Sequence, residues 1–297
     1  MNRSRANAGT RPADSGELRE RLLAGIPVDQ RPLNLAGHTT VVLEGGLGPP
    51  LVLLHGAGEF AANWMRVIPE LVRTHRVIAP DLPGHGASQL GSEPLDARTV
   101  TAWLGQLIEH TCQSPPALVG HLLGGAIASR FAIEHPDRLG SLVLVDTYGL
   151  GRYRPTPGFA LAMLAFAARP TEGAQERLFR QCTVDLDGLR GQVGDRGHVL
   201  EAYALDRARN PAMNAALKHL MRQLGVPATP PAQLARIAVP TTLIWGRQDR
   251  QVRLSLAEAA SARYGWPLHV IDRAADDPAY EQPEAFLQAL HTVLGRS

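Results

Sequence analysis

The chain has 297 residues, a length that fits one large α/β domain carrying an insertion, or at most two domains. Hydrophobic residues make up 44% and charged residues 20%, enough apolar surface to bury a full core, which excludes wholesale disorder. The formal net charge of +2, with acids and bases interspersed, excludes a nucleic-acid footprint of clustered Lys and Arg.

Residues 1–16, rich in Arg, Asn, Ser, Gly and Asp, read as a mobile tail, and 17–23 as a short helix, so 1–32 stands apart from the remainder of the chain. The start carries basic residues but no apolar core segment, so no signal peptide is read there. Cys112 and Cys182 lie far apart without a C-x-x-C partner, which fits reduced buried thiols in a cytoplasmic protein. Segments 33–35 and 39–43, joined across Gly37-His38, predict an antiparallel hairpin. After the Gly/Pro-rich 45–50, the run 51–54 is apolar at every residue, as a strand buried on both faces requires. Strand-like runs at 76–79, 117–119 and 142–145 alternate with helical stretches at 61–73, 97–112 and 123–134, which predicts a parallel sheet with helices on both faces.

The alternation stops after Val145. From 148 to 235 only helical patterns are found (157–168, 171–182, 196–209, 211–224), punctuated by Pro155, Pro157, Pro170 and Pro211. This segment reads as a helical cap inserted into a core formed by 33–147 and 236–297. Its most apolar run, 159–168, is well short of the ~20 residues of a membrane span. Strands return at 239–245 and 267–271, and a helix runs from Pro283 to about Leu294.

The sequence is organised around 117–126, where a short apolar strand meets Gly120-His121-Leu122-Leu123-Gly124-Gly125 and leaves as a helix. This is the strand–turn–helix setting of a nucleophile elbow, G-x-Nu-x-G. Gly120 and Gly124 let strand and helix approach on either side of a tip that sits at positive φ. The tip residue is Leu122, which has no nucleophilic atom.

With these motifs in hand the chain resembles the α/β-hydrolase superfamily from about Leu33 to the C-terminus. His55-Gly56-Ala57-Gly58 resembles the oxyanion loop, and 81–88 (DLPGHGAS) the D-x-P-G-x-G-x-S turn of capped members. Gly120–Gly125 is similar to G-H-S-x-G-G, 245–249 (WGRQD) to the W-G-x-x-D segment ending in the triad acid, and 274–283 (AADDPAYEQP) to A-G-H-x-x-x-x-E-x-P with the triad histidine. The resemblance implies an α/β-hydrolase fold in which Leu122 stands at the serine place, Asp276 at the histidine place and Asp249 at the acid place. It also implies oxyanion donors at the backbone N–H groups of Ala57 and Leu123. Ordinary hydrolysis through an acyl-enzyme needs a hydroxyl nucleophile and an imidazole base, and neither stands in its place.

Other groups are candidates for acid–base work. Asp249 and Asp276 are expected to lie close enough that one carboxyl pKa rises, giving a general acid or base, although Asp276 also suits a turn-capping role before Pro278. Glu59, after the oxyanion loop, is a further candidate base facing the pocket, and a solvated loop carboxylate is the competing reading. His55, Gly56, His121 and Leu122 are expected around the pocket, with His121 directed away from it. No ligand spacing demands a metal, the G-x-G-x-x-G order of a dinucleotide loop is absent, and no cofactor is expected. The apolar cap residues Phe159, Leu161, Met163, Leu164 and Phe166 point to a small hydrophobic molecule as partner, with no nucleic acid and no membrane involved. Three functions stay open: non-hydrolytic proton transfer (isomerisation, epimerisation, elimination or cyclisation), non-catalytic binding, and hydrolysis by a carboxylate-activated water.

Overall fold

Alternating strands and helices leave the chain one economical way to bury its all-apolar strands, a sheet sandwiched by helices. The computed structural model describes residues 14–295, so most of the tail read at 1–16 lies outside the described residues. Eight strands form one sheet: β1 (Asp29–Leu35), β2 (His38–Gly45), β3 (Pro50–Leu54), β4 (Arg76–Pro80), β5 (Ala117–His121), β6 (Ser141–Val145), β7 (Thr241–Gly246) and β8 (Leu268–Ile271). Their order is β1-β2-β4-β3-β5-β6-β7-β8. The β1–β2 and β2–β4 pairs are antiparallel and the rest parallel. The predicted hairpin is there, turning through Ala36-Gly37, but β1 begins four residues earlier, at Asp29.

The helices are α1 (Ser15–Leu23), α2 (Ile68–Leu71), α3 (Ala97–Thr111), α4 (Leu122–Glu134), α5 (Pro157–Ala168), α6 (Glu172–Cys182), α7 (Leu186–Val193), α8 (Asp195–Ala208), α9 (Pro211–Leu220), α10 (Pro231–Leu234), α11 (Leu254–Tyr264), α12 (Pro278–Glu281) and α13 (Pro283–Leu294). Between β6 and β7 the described chain makes helices and no strand. The helix expected at 61–73 is instead a 3₁₀ segment, Ala61–Arg66, followed by the single turn α2. Two apolar clusters flank the sheet. One contains Trp103, Phe131 and Trp245, the other Trp64, Phe60 and Phe286.

The strand order reverses at β3, since the chain runs from β3 to β4 on one side and then returns to place β5 on the other. A parallel sheet opens a crevice outside the carboxyl ends of the strands at such a point. The loop after β3 carries Ala57 and Glu59, and the turn after β5 carries Leu122. Helices α5 to α9 lie across this crevice and are tied down by side chains from the sheet loops. Arg250 donates from one guanidinium nitrogen to the carbonyls of Arg180 (3.1 Å), Gln181 (3.0 Å) and Thr183 (3.0 Å) at the end of α6. Glu281 accepts the N–H of Ala275 (2.6 Å) through one oxygen and the N–H of Val184 (2.7 Å) through the other. From the other end of the chain, Arg19 on α1 reaches the fully buried Asp81 (2.9 Å), pinning the N-terminal helix to the loop after β4.

Candidate active site

The turn between β5 and α4 is as sharp as its glycines allow. Leu122 sits at φ +44°, a left-handed conformation that costs on the order of 1–3 kcal/mol for a non-glycine residue and persists only when its surroundings impose it. They do so here by close approach. A Cβ on Gly124 would lie 2.5 Å from the Leu54 carbonyl oxygen, and one on Gly120 would lie 2.6 Å from the Gly124 oxygen. The Gly124 N–H donates to the His55 carbonyl (3.2 Å), fastening the start of α4 to the end of β3. Leu122 is 2% exposed and its side chain lines the cavity below the helical segment. The backbone N–H groups of Ala57 and Leu123 donate to no other group among the described residues, as free oxyanion donors require.

The loop bearing Ala57 is held from behind. Glu59 Oε2 accepts the Gly56 N–H (2.6 Å) and lies 3.1 Å from His121 Nδ1. His121 Nε2 faces the Asp276 carbonyl oxygen. With an acceptor at each nitrogen, the ring donates twice and is an imidazolium. Burial opposes that charge, but Glu59 and the nearby Asp277 outweigh it and raise the His121 pKa to about 10. Glu59, His121 and Asp277 bring one ligand-type atom each within 4.8 Å of one another, yet a doubly protonated ring has no lone pair for a metal. His55 is the opposite case. Its Nδ1–H donates to the Gly56 carbonyl (2.9 Å) and its Nε2 accepts the Leu82 N–H (2.9 Å), while complete burial holds the ring neutral. Of the four residues expected around the pocket, Leu122 alone lines the cavity. His55, Gly56 and His121 form the layer behind its wall, because their polar atoms are consumed in fixing the loops.

Asp249 lies close enough to Asp276 to help raise its pKa, as expected, but the two carboxyls are joined through a third residue. Gln251 stands between them. Its backbone N–H donates to Asp249 Oδ1 (2.7 Å) and its side-chain amide to Asp276 Oδ2 (2.9 Å), while its own Oε1 accepts the Tyr148 hydroxyl (2.7 Å). Asp249 also accepts the Val252 N–H (2.9 Å), and its second oxygen meets Asp146, a residue to which no sequence motif pointed. Asp146 follows β6 at φ +43°, is fully buried, and accepts the Gly246 N–H (2.9 Å). Burial pushes its pKa well above the carboxylate range, and the proximity of Asp249 adds to this, so Asp146 holds the proton of the pair. Burial likewise lifts Asp249 to about 7.

Asp276 lines the cavity and is 6% exposed. Burial first, then Asp249 and Glu281, hold its pKa well above the ordinary carboxylate value. Its Oδ1 makes no hydrogen bond to nitrogen or oxygen donors among the described residues and is the polar atom it offers to the cavity. Cys182 at the end of α6 also lines the cavity, with its thiol against the Asp276 carboxyl. Burial and the Asp276 charge push that thiol pKa well up, the reverse of what a nucleophilic cysteine needs. Asp277 caps α12 through the Tyr280 N–H (3.0 Å), the role that the sequence also allowed for Asp276.

The cavity has a volume of about 210 Å³. From the sheet loops it is lined by Ala57, Glu59, Leu122, Gln251 and Asp276, and from the helices above by apolar side chains such as Met163, Phe166, Leu178 and Leu217 together with the polar Gln175, Arg190, Glu201 and Asn214.

A mostly parallel eight-stranded sheet, a positive-φ elbow after β5 and two unengaged N–H groups facing it define the α/β-hydrolase fold class. The comparison with protein families agrees: the Alpha/beta hydrolase family profile matches residues 51–289, and the chain belongs to that family. Among curated relatives, it is 32% identical over 241 residues to a 2-hydroxymuconate semialdehyde hydrolase of a Pseudomonas species, covering 77% of this chain and 81% of that one. It is 28% identical over 256 residues to a pimeloyl-[acyl-carrier protein] methyl ester esterase of Aeromonas hydrophila, covering 84% of this chain and 97% of the other. Among solved structures, the 2-hydroxy-6-oxo-6-phenylhexa-2,4-dienoate hydrolase from a Rhodococcus species superposes with a TM-score of 0.77 at 26% identity, covering 89% of this chain and 98% of that one.

Proposed function

We propose that this member of the family has exchanged covalent hydrolysis for proton transfer on a small hydrophobic carbonyl compound. Leu122 and Asp276 occupy the places of the family's serine and histidine in this reading, so no acyl-enzyme forms. The observation that carries it is the pairing of an apolar elbow tip with a cavity-facing carboxyl, Asp276, whose pKa burial raises well above the ordinary carboxylate value. A substrate carbonyl oxygen seats on the N–H groups of Ala57 and Leu123. The ionised form of Asp276 removes a proton from the carbon next to that carbonyl, and the electron pair moves onto the oxygen, where the two N–H groups stabilise the enolate. The Asp276 carboxyl exchanges its proton with water and then delivers a proton to another carbon on the same face, or to the first carbon once the enolate has turned over in the cavity, and the net result is a 1,3-shift or an inversion. Gln251 and Tyr148 orient the carboxyl, and Cys182 stays a thiol beside it.

The names of the relatives favour a second reading, hydrolysis by a carboxylate-activated water. Glu59 serves it poorly, because one of its oxygens is committed to Gly56 and His121. The two readings and simple binding separate in one experiment. Protein purified from its own host is analysed by native mass spectrometry, the bound compound is released and identified, and that compound is returned to the protein in deuterated water. Proton transfer gives deuterium at carbon next to the carbonyl, rising with pH as Asp276 ionises and falling at least ~100-fold in Asp276→Asn. A compound returned unlabelled, or cleaved, removes the proposal.

A further inference from the structure

Helix α5 shows two apolar faces, and the fold covers one of them. On the inner side Met163 and Phe166 line the cavity, and Phe159 and Ala162 are buried against α6. On the outer side Pro157, Leu161, Leu164 and Ala168 succeed one another at helical spacing and all are exposed. Leu161 is 71% exposed and Leu164 67%, far more than an isolated surface leucine needs to be for packing reasons alone. Along the chain segment that carries this stripe the charge has one sign, up to Glu172 at the start of α6. From Thr147 to Thr171 the chain contains no aspartate or glutamate, and its charged residues there are Arg152, Arg154 and Arg169. These three arginines bracket the two ends of α5, are exposed, and form no ion pair among the described residues.

We propose that the outer face of α5 docks on an anionic phospholipid surface. An apolar helical stripe bordered by arginine is the pattern that lies in the headgroup region of such a surface, with leucine reaching the acyl boundary and the guanidinium groups meeting phosphate. At 12 residues α5 is a surface element, and no helix among the described residues is long and apolar enough to cross a membrane. Docking places the roof of the cavity against the lipid, so a hydrophobic ligand passes between bilayer and cavity past one helix. The sequence alone pointed to no membrane partner because the run 159–168 is too short to span. The packing of α5, which leaves its leucines outside, supplies what the sequence did not. The inference rests on the reading of the cavity as a hydrophobic-ligand site only for its purpose, and its test does not pass through turnover.

Flotation of the full chain with vesicles of phosphatidylglycerol and phosphatidylcholine, against vesicles of phosphatidylcholine alone, provides that test. Binding is expected to the anionic vesicles and to weaken with added salt. Arg152→Gln, Arg154→Gln and Arg169→Gln together lower it on the order of 100-fold, and Leu161→Ser with Leu164→Ser lowers it at least ~10-fold. Melting temperatures of both variants stay within a few degrees of the parent, because the altered side chains are exposed. Leu161→Trp, which needs no loss of binding to be informative, shows a blue shift of its added emission with anionic vesicles only. Absence of binding to anionic vesicles, or binding unchanged in the serine variant, overturns the inference. A concentration-dependent dimer abolished by the serine variant also overturns it, by assigning the face to a second copy of the chain.

Discussion

The elbow and the acid corner face the same cavity, and they hold their shapes by different means. At the elbow, geometry resides in the backbone: Gly120 and Gly124 permit contacts of 2.5–2.6 Å to any added Cβ, and Leu122 is carried into positive φ whatever its side chain. At the acid corner, geometry resides in side chains: Asp146 meets Asp249, and Gln251 joins Asp249, Asp276 and Tyr148 by hydrogen bonds. A backbone device survives exchange of its tip residue. A side-chain network changes its chemistry with each exchange, and here a glutamine bridge joins the Asp276 carboxyl to a second, proton-sharing pair.

The largest test of this contrast is Gly124→Ala. The added methyl meets carbonyl oxygens of Leu54 and His55, at the carboxyl end of the central strand β3, which cannot withdraw, so stability falls by about 2 kcal/mol or more. Urea unfolding measures this, and a loss below ~0.5 kcal/mol would show the elbow to be soft.

The pH dependence comes next. His121 is raised to about 10, so the stabilisation from its charge is complete below its unfolded pKa near 6.5 and is lost as pH rises through 10. Asp249, Asp277 and Glu281, all raised to about 7, make the folded chain bind more protons than the unfolded one, so they too lower stability as pH climbs from about 4 to 7. Below about 6.5 the histidines whose pKa burial lowers, His38, His55, His75 and His85, act in the opposite sense to these carboxyls, so the clean signature is the alkaline limb: chemical denaturation should show stability falling from about pH 6.5 to about 10. In His121→Gln that alkaline limb is expected to flatten while the acid side of the profile remains. A variant that keeps the alkaline limb would locate the charge elsewhere.

The smallest effect belongs to Tyr148→Phe, which removes one donor from Gln251 and costs about 1 kcal/mol. Its informative readout is the Asp276 carboxyl stretch by infrared difference spectroscopy, expected to move when Gln251 loses its anchor. An unmoved band would detach Tyr148 from the site.

How far the sequence disclosed these regions obeys the same division. The elbow, the buried strand that precedes the Gly56–Gly58 loop and the strand alternation were legible because each is a local pattern of glycines or apolar runs. Asp146 was not, since it meets Asp249 across β6 and β7 from 103 positions away, although an acid closing the apolar run 142–145 at the carboxyl end of a parallel strand was an available signal. Gln251 bridges through both backbone and side chain, which no spacing rule announces. Helix α7 is hidden in the sequence because Gly188 and Gly191 depress its helical propensity, and packing of Leu186 and Leu189 compensates. Asp276 was recognisable as a candidate beside Asp249, but the glutamine that joins them was not.

Intact mass after treatment with a fluorophosphonate tests the central claim most directly. The account predicts no adduct on the wild-type chain and a single adduct on Leu122→Ser combined with Asp276→His, whose serine would stand on the preformed elbow beside the free N–H groups of Ala57 and Leu123. An adduct on the wild-type chain would contradict it, by revealing a nucleophile in a cavity whose elbow offers none.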